Sequence, residues 1–313
     1  MRRYLLKRLL LVIPTTVGAV TLVFFLIRLT PGDPAEVLLG DFASPETVAE
    51  LQRQFGLDNP IFTQYVAFLW NAITLDFSVS YATQRPALQQ LITVFPYSLQ
   101  LAVAGIVVAI AIGVPAGVIA AISHNKWIDS GTMVSALALV SVPNFYLGIL
   151  LIIVFSMKLG LLPVTGVGAP GDITSALSHL VLPALAIGGG SAAILARMTR
   201  SSLREVMGRD YITTARAKGL APRWVVLRHG LKNALLPVVS VAGLQIGRLL
   251  GGSVVIETVF ARPGIGKLIV DSITARDYVQ VQASIIVLVL IFIIINLLTD
   301  IAYAVLDPRI RYA

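Results

Sequence analysis

Few side chains in this sequence can do chemistry, and none stands at the spacing that catalysis or metal binding requires. The three histidines, His124, His179 and His229, lie far apart. There is no cysteine, which excludes disulfides, thiolate nucleophiles and cysteine-based metal sites. No Walker sequence, nucleophile elbow, His-Glu-x-x-His pattern or carboxylate dyad is present, so neither an enzyme nor a metal centre is expected. Lys267 in Gly264-Ile-Gly-Lys fails as a P-loop, because the spacing is wrong and no strand precedes it. Two ionisable residues, Arg248 and Asp300, sit inside apolar runs. Arg248 either lines a path for an anionic group such as a carboxylate or makes a structural contact with a neighbouring helix, Asp300 being a candidate partner.

The remaining chemistry-bearing stretch is Tyr211 to Pro237, a long basic segment between two membrane-length apolar runs. Its pattern is helix, sharp stop, helix. Asp210 is the expected N-cap, Tyr211 to Lys218 form about two turns, Gly219 closes them in a left-handed conformation, and Pro222 opens the next helix. Thr213, Thr214, Ala215 and Ala217 are small, so this helix can lie close against a partner, while Arg216 and Lys218 suit the negative end of its dipole. The segment is either a grip for another protein or an ordinary cytoplasmic loop whose charges only set topology.

Composition dictates the elements that position these residues. The chain is 57% hydrophobic and 13% charged, with a mean hydropathy of +0.86; soluble domains carry about 25% charged residues. It is an integral membrane protein, all-α, with six expected spans at about 9–29, 99–122, 132–157, 178–196, 236–256 and 281–306. The first run is longer than a signal-peptide core, lacks a cleavage site and reads as a retained span. Basic residues gather at the N-terminus, at Lys126, at nine positions between Arg197 and Lys232, and at Arg309 and Arg311. An even span number puts all of these on one side, which the positive-inside rule makes the cytoplasm, with both termini there. The net charge of +8 is thus an orientation signal; no nucleic-acid-binding module accompanies it.

The external loop, 30–98, holds seven acids against Arg53 and Arg85 and is expected to be a lid or docking surface. Ser44 and Pro45 open a helix that ends near Gly56 and carries an apolar stripe of Val48, Leu51 and Phe55; Trp70, Phe77 and Tyr81 are expected near the headgroups. Breakers lie within the spans: Pro115, Pro143, Pro183 with Gly188-Gly-Gly190, and in the fifth span Gly243, Gly247, Gly251 and Gly252. The stripe of Gly243, Gly247 and Gly251 serves close helix packing or a narrow pore wall. In the last external connection, Pro263 and Gly264 make a turn, Gly266 is a second permissive position, and Phe260, Ile265 and Leu268 dip back toward the membrane as a re-entrant segment.

These patterns together resemble a known family. Thr213-Thr-Ala-x-x-x-Gly219 followed by Leu236-Pro237 resembles the EAA loop of bacterial ABC-importer permeases, with Thr213 and Thr214 where the family carries Glu and Ala. Leu29-Thr-Pro-Gly-Asp-Pro34, Gly251-Gly-Ser-Val-Val-Ile-Glu-Thr-Val-Phe-x-x-Pro-Gly-x-Gly-x-Leu268 and the terminal Asp307-Pro-Arg-Ile-Arg-Tyr312 resemble the B-type permease of the dipeptide/oligopeptide/nickel group, which includes the glutathione importers. The resemblance covers residues 1–313 and implies one type I ABC-importer permease domain in a bacterial inner membrane, with a cytoplasmic coupling loop at 197–235.

It also implies partners: a second homologous permease, two cytoplasmic ATPases that bind the ATP and magnesium, an extracytoplasmic substrate-binding protein, and lipid. This chain itself would hold no cofactor. Tyr211, Thr213, Thr214, Ala215, Arg216, Ala217, Lys218 and Gly219, with Leu236 and Pro237, would couple to an ATPase. Gln245, Arg248 and Gly252 are pathway candidates; Glu257, Phe260, Pro263, Gly264 and Gly266 are candidates for an external gate. Dipeptides or short peptides are the implied cargo, carried by alternating access. A self-sufficient secondary transporter or channel is the alternative; scarce intramembrane charge and the lack of an inverted repeat weigh against it.

Overall fold

A computed structural model of the chain describes residues 2–29, 44–54, 56 and 58–306. Phe55, most of Leu29–Pro34 and the terminal Asp307–Tyr312 therefore lie outside the described residues, as do the side chains of Leu51 and Asp300. The described residues are helical apart from turns and one isolated bridge between Val79 and Pro86. In chain order the helices are α1 (Arg2–Arg28), α2 (Pro45–Gln54), α3 (Ile61–Thr74), α4 (Ala87–Ile122), α5 (Lys126–Ser141), α6 (Asn144–Leu151), α7 (Ile173–Met207), α8 (Asp210–Ala217), α9 (Lys232–Val259), α10 (Ile265–Thr274) and α11 (Tyr278–Leu306).

Four single helical stretches are long and apolar enough to cross a membrane: Ala87–Ile122, Ile173–Met207, Pro222–Val259 and Tyr278–Thr299. A fifth candidate is the pair Lys126–Ser141 and Asn144–Lys158, the second being α6 with the π-helical turn that continues it, which bend by 102° at Val142-Pro143. α1 is 27 residues long, and Leu10–Phe25 form an apolar helix among its described residues. Of the expected breakers only Pro143 ends a helix. α4 continues through Pro115, α7 through Pro183 and the glycine triplet, and α9 through Pro237. A proline removes one backbone bond, and helix packing in a membrane tolerates that loss. The helices also outrun the expected spans: α4 begins at Ala87 inside the expected external loop, and α7 carries on to Met207.

The chain forms two compact units, residues 1–96 with 264–297 and residues 97–263 with 298–313. In the first, α3 packs along α1. The Phe24 ring meets Tyr65 edge-on at 5.2 Å and Phe68 at 5.4 Å, and Thr21 shares a 2.7 Å hydrogen bond with the Tyr65 hydroxyl. Val20, Val23, Ala72, Phe77, Leu91, Ile265 and Ile286 fill its core. Phe77 is therefore buried and Tyr81 half-buried, which corrects their expected place at the headgroups; Trp70 is 65% exposed. Ser44 caps α2 as expected, its Oγ accepting from Thr47 N at 3.2 Å.

Asp277 staples this unit. Its Oδ2 accepts from Ser80 Oγ and Ala82 N, its Oδ1 from Gln280 N, and its side chain is buried. Gln280 in turn accepts from Gln90 Nε2 at 2.8 Å. Asp277→Ala strands these donors in the interior and should destabilise the folded protein by about 2–3 kcal/mol. A thermal denaturation midpoint in detergent equal to wild type would show that the staple carries no stability.

In the second unit, α7 is the central helix, packed by α5, α6 and α9. Its approach to α4 depends on absent side chains. A Cβ on Gly113 would stand 2.4 Å from Ala192 O, one on Gly117 2.4 Å from Ala196 O, and one on Gly188 2.5 Å from Gly105 O. The seam of small residues expected on the fifth span is thus strongest between α4 and α7, where Gly105, Gly113 and Gly117 face Gly188, Ala192 and Ala196. On α9, Gly243 packs on Thr299, Gly247 is buried and Gly251 is exposed. At the end of α7, Arg200 and Arg204 both bond Asp129 in the first turn of α5, and Arg204 Nη2 also donates to Ala120 O at 3.2 Å. These bonds join α4, α5 and α7.

Candidate functional site

The basic segment folds as a hairpin. α8 begins at Asp210, so Arg209 holds the N-cap position and Asp210 lies in the first turn, where its carboxylate suits the helix dipole; this corrects the expected cap. Gly219 takes φ +78°, its N–H bonding Arg216 O at 2.9 Å, and Pro222 opens a short helix Pro222–Trp224 as expected. A π-helical turn, Val225–Leu231, then leads into α9. Such one-turn insertions cluster at functional sites.

Ile212, Ala215 and Val225 form the hairpin's small core, with Met207 packed against it. Ala215 is thus turned inward and is not available to a partner. Ile212 is absent from the residues that the sequence singles out, although its three-residue spacing to Ala215 is the helical signal for a shared face. Tyr211, Thr213, Thr214, Arg216, Ala217, Lys218 and Gly219 are exposed. Asn233 Nδ2 donates to the Tyr211 hydroxyl at 2.9 Å, and Ser202 Oγ to Ala234 O at 2.9 Å, tying the hairpin to α9 and α9 to α7. A Cβ on Gly230 would come within 2.9 Å of Met207 Sδ, so α7 and the π turn nearly touch. Leu236 is exposed and Pro237 half-buried. Beyond Gly219, Leu220, Trp224 and Leu227 expose 41%, 52% and 55% of their surface, and an open cavity of about 350 Å³ lies among Leu220, Trp224, Arg228 and His229.

Of the pathway candidates, Gln245 is buried and donates from Nε2 to Ser191 Oγ at 3.0 Å, joining α9 to α7. Arg248 and Gly252 are exposed on one face of α9 with Leu244 and Val255. Among the described residues Arg248 has no hydrogen-bond or ion-pair partner.

At the C-terminal end of α9, Glu257 is fully buried and accepts from Ser98 Oγ at 2.7 Å and Ser253 Oγ at 2.8 Å. Phe260 is buried, and its carbonyl accepts from Gly166 N at 3.0 Å. The left-handed residue of the turn is Ala261, at φ +45°, and neither glycine has that role. Gly264 is extended and Gly266 lies in the first turn of α10, which corrects the expected permissive positions. Pro263, between Ala261 and Gly264, is half-buried. Arg262 carries no signal in the sequence, because nothing in its spacing singles it out. It is 2% exposed; Nη2 donates to Gln100 Oε1 at 3.2 Å, while Nε and Nη1 find no acceptor among the described residues. Burial lowers its pKa, and the negative charge of Glu257, with Tyr97 beside it, pulls the other way.

Comparison with known proteins decides the family. Residues 113–312 match the binding-protein-dependent transport system inner membrane component, and residues 1–102 match the N-terminal part of such membrane components. The chain belongs to this family. It is 44% identical over 312 residues to the glutathione transport system permease protein GsiC of Escherichia coli K12, covering 100% of both chains. The counterpart in Shigella flexneri serotype 5b is 43% identical over the same length. Among solved structures, an inward-facing methionine ABC transporter, MetNI, superposes with a TM-score of 0.59 at 19% identity, over 71% of this chain and 98% of that one. An amino acid ABC transporter with histidines gives 0.51 at 15% identity, over 69% and 94%. The fold is that of type I importer permeases, and the chain is a multi-pass inner-membrane transport component.

Proposed function

We propose that this chain is one of two permease subunits of an ATP-driven, binding-protein-dependent importer that carries dipeptides or other short peptides inward by alternating access. The observation that carries the reading is the hairpin: an exposed small-sided α8, closed by left-handed Gly219 and flanked by Leu220, Trp224 and Leu227. Full-length similarity to a glutathione permease supports a peptide-type cargo. α8 seats in a groove of a cytoplasmic ATPase, and closure of two ATPases around ATP moves it. α7 and α9, tied to the hairpin through Ser202, Gly230 and Asn233, carry that movement into the membrane. Both termini and the hairpin face the cytoplasm, as the basic residues dictate. The segment from Glu257 to Gly266 lies at the outer mouth, where a substrate-binding protein delivers the ligand.

Purification of the tagged chain from mild detergent should bring down a second permease and two ATPase subunits. Recovery of the chain alone, under conditions that hold related complexes together, would overturn the reading. Within the complex, Arg248→Ala should cut peptide uptake about tenfold with assembly intact, because an ionisable residue in a membrane-spanning helix is by default a candidate for the substrate path. Unchanged uptake would instead assign Arg248 to a helix interface.

A further inference from the structure

The first unit contains a cavity of about 330 Å³ that none of the roles above uses. It is walled by α3, the turn after it, the start of α11 and Arg28 at the end of α1. Its lining is unusual in a chain so apolar. One cation and one anion, Arg28 and Asp76, share it with neutral amides and hydroxyls, among them Asn59, Asn71, Gln282 and Tyr81.

Arg28 is held in place, and among the described residues no carboxylate neutralises it. Nε and Nη2 donate to Gln64 Oε1 at 3.2 and 2.5 Å, Nη1 donates to Phe24 O at 3.4 Å, and the guanidinium lies 3.6 Å above the Phe24 ring. All these acceptors are uncharged. Of the five guanidinium N–H groups, three are used, and no described carboxylate pairs with it. Asp76 is equally open. Its Oδ1 accepts one long bond, 3.4 Å, from Ser78 N.

The turn that presents Asp76 is strained. Leu75 and Ser78, on either side of it, take φ of +57° and +61°, and Gln84 takes +55°. Residues with a Cβ adopt such angles where the surroundings enforce them, and they gather at ligand sites. Leu75 is the left-handed C-cap of α3, and the buried Asp277 carboxylate anchors Ser80 and Ala82 in the turn that follows. Burial, and then Asp277, raise the pKa of the Tyr81 phenol, so it remains a proton donor.

We infer that this cavity binds a small zwitterion, a free amino acid or dipeptide, with its carboxylate on Arg28 and its ammonium group on Asp76. The volume is at the low end of the range for small-molecule sites, about 300–1,000 Å³, which suits a ligand of that size. The amides and hydroxyls of the lining would meet the peptide group. Identification of the ligand as a peptide rests on the function proposed above; the charge pair and the cavity do not.

The test is equilibrium dialysis of labelled alanylalanine against the purified permease–ATPase complex, without binding protein. Saturable binding is expected, weakened at least tenfold by Arg28→Gln and separately by Asp76→Asn, and largely kept by Arg28→Lys. Alanylalanine acetylated at its N-terminus and amidated at its C-terminus should not compete. Melting temperatures near wild type exclude a collapsed unit; if Arg28→Gln is destabilised, Asp76→Asn, on the exposed turn, decides. Absence of binding, binding indifferent to both charge changes, or competition by glycerol phosphate in place of the dipeptide overturns the site. If alanylalanine uptake by the intact system is normal at the same time, the importer reading stands while the site falls. If the intact system takes up no peptide at all, it is that reading which fails.

Discussion

Gly117→Val should leave almost no folded protein in the membrane. The Cβ that valine adds would stand 2.4 Å from Ala196 O, 2.6 Å from Thr199 Cβ and 3.1 Å from Arg200 N. Two of these atoms belong to the backbone of α7, which cannot yield, because α5, α6 and α9 pack on its other sides. Relief requires α4 and α7 to separate, which also opens the contacts at Gly113 and Gly188 and exposes helix surface shaped for close approach. Overpacking alone costs about 1–3 kcal/mol; loss of the whole seam adds to it. Gly131→Ala is the control, since nothing lies within 4 Å of its Cβ position. Size-exclusion chromatography of the solubilised variants measures the effect. A monodisperse Gly117→Val protein with a wild-type melting midpoint would mean that the seam does not hold these helices together.

Gly219→Val should separate folding from transport. No atom lies within 4 Å of its Cβ position, so there is no clash, and the whole penalty comes from φ +78°. A β-branched residue is an outlier there, at a cost of about 1–2 kcal/mol for an L-residue in the left-handed helical region. The spans do not depend on this residue, but the angle between α8 and Pro222 does. Insertion should match wild type and the melting midpoint should fall only slightly, ATPase co-purification should fall, and peptide uptake should drop to about a tenth or less. Gly219→Asn should recover part of the uptake, because asparagine tolerates this conformation. Full uptake by the valine variant would remove the hairpin from the coupling path.

Local rules were legible where a short stretch decides its own conformation. Ser44 caps α2, Gly219 is left-handed and Pro222 opens a helix, each within a few residues of the signal. Legibility failed where a distant partner decides. α3 went unread because Ile61–Thr74 has no charged residue, and its contrast between the face on α1 and the exposed face of Phe62, Val66, Trp70 and Ile73 exists only once α1 is beside it. Pro115 and Pro183 resembled helix breakers, yet the helices run through them. The reading of Gly264 and Gly266 as permissive positions assigned to glycine an angle that Ala261 holds instead.

The sequence by itself determined the class, the membrane and the family: hydropathy, charge asymmetry and residue order need no neighbour to be read. It also determined the hairpin, whose stop signals are local. Only the tertiary structure decided which small residues meet, that Ala215 turns inward while Trp224 stays out, that Gln245 bonds Ser191, and that Arg28 and Asp76 line one cavity. A helix puts a side chain at a fixed angle about its own axis. What occupies that angle is set by another segment, far away in the chain.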